Sequence, residues 1–120
     1  TDMARTRNQG SKWIRPAKRL AIYSRDGFAC AFCSRGVEEG IFLTLDHLLA
    51  CELGGSNDAT NLVTCCRSCN SSKQDLTMRD WMMVLRDGGT DTTKIASRIR
   101  RTTRKPIDME EGRRLLAARK

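Results

Sequence analysis

Residues 45–73 read LDHLLACELGGSNDATNLVTCCRSCNSSK, and this stretch decides the fold. It holds the only histidine of the chain, directly after an aspartate, and then three cysteines and an asparagine within six positions. Upstream, Ile41, Leu43 and Leu45 alternate with other residues, and this pattern predicts a strand. The apolar run 62–64 predicts a second short strand, and the turn-rich segment between them predicts a hairpin.

The chain has 120 residues, which predicts one small domain. Short chains bury a smaller fraction of their surface than long ones, and aromatic residues make up only 5% of this one. A hydrophobic core alone is therefore expected to be marginal. In small domains a bound metal or disulfides usually supply the missing stability.

The six cysteines favour a metal over disulfides. No apolar run that could serve as a signal peptide occurs in the first 20 residues, so we expect an intracellular protein, not a secreted one. In such reducing compartments, Cys-x-x-Cys pairs bind metal more often than they form disulfides. Two such pairs predict one structural zinc site, with the ligands Cys30, Cys33, Cys66 and Cys69. A secreted disulfide scaffold is the alternative.

The two remaining cysteines, Cys51 and Cys65, are interpreted as small buried apolar residues. Cys65 competes with Cys66 for the zinc site, but only Cys66 stands two residues away from its partner Cys69.

The net charge of +8 and the pI near 9.6 predict a polyanionic partner, with nucleic acid first. Binding to an acidic membrane surface would require a basic helix with a strong apolar face, so no membrane partner is expected. A solvated basic surface with no such partner is the remaining alternative, since net charge also serves solubility.

Composition divides the chain into four parts. Residues 1–15 are polar and basic and predict a flexible arm, and residues 16–87 carry the core with its cysteine pairs. Residues 88–93, GGTDTT, are interpreted as a linker before a basic helical extension at 94–120. Helices are expected from Pro16, from Asn70, near Thr77, from 94 to before Pro106, and from Asp108.

The motifs taken together resemble the HNH nuclease family in its ββα-metal form. Those that carry the resemblance are RDGFACAFC at 25–33, LTLDHL at 43–48, LGGSNDATNLVTCCRSCN at 53–70, and Lys73. The resemblance covers about residues 20–75. It implies a small α+β fold, in which a two-stranded antiparallel hairpin and a helix form the core. A structural zinc and additional flanking helices complete the expected architecture.

The resemblance also implies site residues. In the family pattern an Asp-His pair ends the first strand, an Asn lies in the loop before the second strand, and His or Asn opens the helix. The matching positions here are Asp46, His47, Asn61 and Asn70, the His-Asn-Asn variant. These imply a DNA endonuclease with His47 as general base and Mg²⁺ or Mn²⁺ on Asp46 and Asn70. Asn61 would tie the loop to backbone groups and so fix the histidine.

Basic residues outside this set are candidates for contacts to double-stranded DNA. Phosphate contacts are sequence-independent and weaken as salt rises. The candidates are Lys73, Arg67, Arg98, Arg101 and Arg104, together with the basic arm.

Two other functions fit parts of the sequence. A non-catalytic zinc-knuckle module that binds DNA would use the cysteines and the charge, and a zinc domain that binds protein would use the cysteines alone. Neither gives a reason for Asp46, His47 and Asn70 to occur together, so these three residues favour the nuclease, in a bacterial cell or its phage.

Overall fold

The computed structural model describes residues 14–119, and the basic arm at 1–13 lies outside the described residues. Within that range two strands and five α-helices follow one another, with three short 3-10 turns at 37–39, 51–53 and 59–61. The elements are α1 Pro16–Arg25, β1 Leu43–His47, β2 Leu62–Cys66, α2 Arg67–Lys73, α3 Met78–Asp87, α4 Thr92–Thr103 and α5 Met109–Ala118. The expected α+β fold class is confirmed at this level.

The predicted hairpin is present. Strands β1 and β2 pair antiparallel, with Leu43 opposite Cys66 and His47 opposite Leu62. All of β2 is buried, whereas β1 is half-buried along its length. The hairpin therefore presents β1 at the edge of the core, where its last residues can reach a cleft.

Helix α2 follows β2 without a loop. It begins at Arg67, three residues before the predicted start at Asn70, because Cys66 serves as its N-cap and its Sγ accepts a bond from the Cys69 N–H at 3.4 Å. The helix ends at Lys73, where Gln74 adopts φ 51° and ψ −127°. The order strand, strand, helix is consistent with the ββα arrangement.

The later helices begin at side-chain caps. Thr77 Oγ1 accepts from Asp80 N–H at 3.1 Å, and Asp108 Oδ1 accepts from Glu111 N–H at 3.1 Å, which confirms both predicted starts. Helix α4 begins at Thr92, two residues before the predicted start, because Asp91 caps it. No helix within residues 14–119 has the length and apolar character needed to cross a membrane.

Two apolar clusters hold these elements together. The larger surrounds the cysteine pairs, and in it Phe32 meets Trp81 edge to face with ring centroids 5.8 Å apart. In the smaller cluster Ile14 packs with Ile22 and Leu62. Ile14 is only 4% exposed, so the prediction that the flexible arm extends to residue 15 does not fit this residue.

The C-terminal part packs differently from the predicted linker and extension. Ile95 and Ile99 of α4 belong to the larger cluster, so residues 88–91 form only a turn between α3 and α4. Helix α5 packs against α1 so closely that a Cβ on Gly112 would collide with the carbonyl oxygen of Ala17. These helices are part of the core because each places an apolar or small-residue face against it.

Candidate metal centre and active site

Four thiols converge on one point. The Sγ atoms of Cys30, Cys33, Cys66 and Cys69 all lie within 4.8 Å of one another, and the Cys33 and Cys66 sulfurs are 3.7 Å apart. A tetrahedral zinc ion with Zn–S bonds of about 2.3 Å separates its sulfurs by about 3.8 Å. The four residues expected as ligands therefore come together, and the donor set fits a metal such as zinc.

Two turns bring these thiols together. Cys30 and Cys33 lie on the turn after α1, which is closed by the Ala29–Gly36 bridge and by a bond from Cys30 N–H to the Arg35 carbonyl at 2.8 Å. Cys66 and Cys69 lie at the junction of β2 and α2. The four-cysteine cluster thus connects the start of α2 to the segment after α1.

Neighbouring groups set the charge of the cluster. Hydrogen bonds from the thiols of Cys65 and Cys69 lower the pKa of Cys30, whereas the bond to Cys30 and then burial raise the pKa of Cys69. The hydrogen bond to Cys33, and then its charge, raises the pKa of Arg35. A zinc ion with four thiolates carries a net charge of about −2, and the Arg35 guanidinium partly offsets it.

A cleft of about 510 Å³ opens beside the hairpin. It lies where the end of β1, the turn at 51–53 and the end of α2 meet. Its lining residues are Asp46, His47, Ala50, Cys51, Glu52, Leu53, Lys73, Gln74, Asp75 and Leu76. Three of the sequence-predicted site residues, Asp46, His47 and Lys73, therefore share one cleft.

Asp46 and Lys73 form a buried ion pair in the wall of this cleft. The Lys73 Nζ lies 3.3 Å from Asp46 Oδ2, and their side chains are 7% and 12% exposed, respectively. Lys73 also donates to the Leu76 carbonyl at 3.2 Å. Burial raises the pKa of the Asp46 carboxyl, and the Lys73 charge opposes this shift without cancelling it. Lys73 is thus part of the cleft wall and is not an open surface residue.

His47 is held by a residue that the sequence analysis missed. Its Nε2 lies 2.7 Å from Asn57 Oδ1 and 3.4 Å from Cys51 Sγ. An amide oxygen can only accept, so the contact with Asn57 favours the tautomer with the proton on Nε2. The Nδ1 atom then keeps its lone pair.

Asn61 fastens the loop between the two strands. Its Oδ1 accepts from Leu49 N–H at 2.9 Å, and its Nδ2 donates to the carbonyls of Leu49 and Ser56 at 3.0 and 2.8 Å. These are contacts to backbone groups, as the resemblance implied. Asn57 lies in the loop that they hold, so the position of the His47 contact depends on them.

Asn70 lies outside the lining of the cleft. Its Nδ2 donates to Thr44 Oγ1 at 3.2 Å, one turn before Lys73 on α2. Asn70 thus contacts Thr44, two residues before Asp46 on β1, and the cation nearest to Asp46 in the described residues is Lys73.

The other basic candidates differ in exposure. Arg101 and Arg104 are exposed on α4 and after it, and Arg67 is exposed at the start of α2. Arg98 is half-buried, and its Nη1 donates to the Ala31 carbonyl at 3.0 Å. That bond ties α4 to the cysteine turn, so at least one donor of Arg98 serves the fold.

Cys51 corrects the interpretation of the two extra cysteines. Cys65 is fully buried, as predicted, but Cys51 is exposed and contacts the histidine. Cys51 and Asn57 both lie in the turn-rich segment 51–61. That pattern indicates a loop, but it does not show that the loop folds back on His47.

The fold and the site define a small α+β protein in which a hairpin and a helix meet a cluster of four cysteines that could hold a metal ion. Residues 30–83 match the HNH endonuclease family, which confirms the resemblance for this segment. The segment includes the cluster, both strands, α2 and the cleft.

A curated relative gives the same assignment. The SPbeta prophage-derived protein YoqL of Bacillus subtilis (strain 168), named as a candidate HNH endonuclease, is 32% identical over 59 residues. The alignment covers 43% of this chain and 26% of the relative, so the chain spans about a quarter of that protein's length. No solved structure matches the chain significantly.

Proposed function

We propose that this protein is a metal-dependent endonuclease that hydrolyses phosphodiester bonds of double-stranded DNA, by nicking or by double-strand cleavage. The observation that carries the proposal is the cleft that Asp46 and His47 share at the end of β1, with His47 Nε2 fixed by Asn57. The family of residues 30–83 and the charge of +8 support the same substrate class.

His47 serves as the general base. Hydrolysis requires a group that takes a proton from the attacking water, and a neutral imidazole suits this role near neutral pH. Because Asn57 Oδ1 accepts from Nε2, the Nδ1 lone pair faces away from that bond and receives the proton. Asn61 holds the loop that carries Asn57, and so keeps the base in place.

Asp46 and Asn70 supply hard oxygen ligands for Mg²⁺ or Mn²⁺. The buried Asp46 Oδ2 accepts no hydrogen bond in the described part of the chain, and Lys73 Nζ lies 3.3 Å from it, so a divalent cation would have to displace this ammonium from the carboxylate. Mg²⁺ takes few protein ligands and keeps several waters. When bound, the ion supplies Lewis-acid stabilisation of the phosphate and of the leaving 3′-oxygen. Asn70 would contribute its amide oxygen, because its amide nitrogen bonds to Thr44.

The zinc knuckle would hold the start of α2, and with it Asn70 and Lys73, which contact Thr44 and Asp46 of β1. Cys30, Cys33, Cys66 and Cys69 would bind one structural Zn²⁺ ion. The exposed residues Arg101 and Arg104 would contact the DNA backbone, as would Arg67 at the start of α2.

A non-catalytic zinc-knuckle module that binds DNA is the second candidate. The ion pair between Lys73 and Asp46 favours it, because an ammonium group beside the carboxylate lessens its affinity for a divalent cation. In that case the cleft would bind DNA without hydrolysing it.

Cleavage of supercoiled plasmid decides between the two. The assay uses the zinc-loaded protein with Mg²⁺, with Mn²⁺ and without added divalent metal, beside His47→Ala. We expect metal-dependent nicking by the wild type, at least a hundredfold slower cleavage by His47→Ala, and equal zinc content and similar DNA binding for both. Wild-type binding without cleavage would establish the second candidate, and equal cleavage by His47→Ala would remove the mechanism.

A further inference from the structure

Helix α2 lies along one face of β1 in regular steps. Each step of two residues on the strand is matched by a step of three on the helix. The contacts are Arg67 with Phe42 at 5.1 Å from guanidinium to ring centroid, Asn70 with Thr44 at 3.2 Å, and Lys73 with Asp46 at 3.3 Å. Phe42 is therefore on the same face of the strand as Asp46. They are four positions apart, a distance of about 13 Å along an extended chain.

Phe42 is the most exposed of the large apolar side chains in the described residues. It is 69% exposed, and neighbouring Val37 is 48% exposed. The Arg67 guanidinium covers part of one face of the ring. A single exposed apolar side chain needs no special explanation, but this one has a groove and several arginines around it.

The groove beside Phe42 measures about 500 Å³ and lies between α1 and the start of β1. Arg19 and Arg119 line it, and no acidic side chain of the described residues is among its lining. The nearby Glu39 directs its carboxylate to the N–H of Gly36 at 2.9 Å, within its own turn. We call Phe42, Arg67, Arg19 and Arg119 the arginine–aromatic patch.

The chemistry of this patch matches nucleic acid. Proteins that bind single strands combine positive charge along the backbone path with aromatic rings on which bases stack. Arginine adds a flat cation that also stacks on rings. A base inside a duplex is already stacked on its neighbours, so only an unpaired base can reach the Phe42 ring. The patch is thus suited to a strand that has left the duplex.

We propose that the arginine–aromatic patch binds an unpaired nucleotide of the DNA substrate, with its base on Phe42 and its phosphates on the arginines. The proposal deepens the proposed function, on which it rests, by naming the substrate class as DNA with an unpaired segment beside a duplex.

Binding tests the patch without relying on cleavage. The full chain carrying His47→Ala, zinc-loaded and without added Mg²⁺, is titrated against fluorescent single-stranded, tailed-duplex and blunt-duplex oligonucleotides. Phe42→Ala is expected to weaken binding to single-stranded and tailed DNA about tenfold, the loss of one stacked base, and binding to blunt duplex less than twofold. Phe42→Trp should retain the affinity, and Arg67→Gln should lower it.

Val84→Ala is the matched control, because Val84 is 52% exposed on α3, away from the patch. Equal affinities of Phe42→Ala and Val84→Ala for single-stranded DNA would overturn the proposal, as would equal losses on blunt and tailed duplex. If Phe42→Ala instead dissociated a dimer and left DNA affinity unchanged, the patch would be a protein interface and the proposal would also fall.

The outcomes separate this proposal from the proposed function. If the protein bound tailed DNA through Phe42 but cut no DNA, the nuclease proposal would be wrong and the patch proposal would stand. If the wild type and Phe42→Ala both cut tailed and blunt DNA at equal rates, the patch proposal would be wrong and the nuclease proposal would stand.

Discussion

His47 Nε2 lies 2.7 Å from Asn57 Oδ1, so a side chain of the loop between the strands determines which nitrogen of the imidazole carries the proton. We predict that Asn57→Ala slows DNA cleavage by about 10- to 100-fold, because misplacing a general base forfeits part of its 10²- to 10⁴-fold effect. Because His47 is the only histidine, the nitrogen NMR spectrum of the imidazole reports its tautomer without assignment. We expect the Nε2–H form to dominate in the wild type and to decline in Asn57→Ala.

Asn57→Asp is the matched control. A carboxylate oxygen also accepts from Nε2, so the Nε2–H contact should persist, while the added charge favours the imidazolium and moves the pH–rate profile to higher pH. The Lys18 bond to the backbone carbonyl of residue 57 is unaffected by either change. An unchanged tautomer and an unchanged rate in Asn57→Ala would show that Asn57 does not position the base.

The convergence of the four cysteines and the place of Asp46 and His47 at the end of β1 were predictable because each rests on spacing within a few residues. Cys-x-x-Cys turns bring two sulfurs to one ion whatever the rest of the chain does. Asn57 and Cys51 were not predictable, since their contacts with His47 arise only when the loop at 48–61 folds back on β1. Its turn-forming residues indicate that the chain bends, but they do not specify which side chain reaches the imidazole.

The place of α4 was missed for a different reason. Its basic residues suggested an exposed extension, but Ile95 and Ile99, four residues apart, form an apolar face that packs in the core. The same helix thus presents one face to the core and its arginines to the surface. Composition averaged over the segment hid this division.

Metal analysis of the purified protein should find one zinc ion per chain. Cys66→Ser and Cys69→Ser are expected to lose it, since each removes one of four converging sulfurs. Binding of structural zinc contributes on the order of 10 kcal/mol to folding in zinc-finger peptides, so a strong chelator should abolish the circular dichroism of the fold. Cys51→Ser is the control and should keep its zinc, because Cys51 lies in the cleft. A metal-free protein with unchanged circular dichroism would contradict the assignment.

Lys73→Met should lower the free energy of unfolding by about 3 kcal/mol, because it leaves the buried Asp46 carboxylate without its ionic partner. Lys94→Met removes an exposed lysine from α4 and should change stability by less than about 0.5 kcal/mol. The double variant Lys73→Met/Asp46→Asn should recover most of the loss, since no unpaired charge remains. Urea unfolding of the wild type, Lys73→Met, Asp46→Asn, the double variant and Lys94→Met measures these differences, and strictly additive effects of the substitutions at 73 and 46 would show that the ion pair does not couple them.

Gln74→Gly should stabilise the protein. Gln74 ends α2 at φ 51° and ψ −127°, a conformation that glycine adopts readily and a residue with a Cβ does not. Relief of strain worth about 1–3 kcal/mol, less the entropic cost of a glycine in the unfolded chain, leaves a gain of about 1 kcal/mol in urea unfolding. Gln74→Ala keeps the Cβ and should give no gain. Because Gln74 is exposed, lost packing contributes little to either result, and equal stabilities of the two variants would mean that the backbone there is not strained.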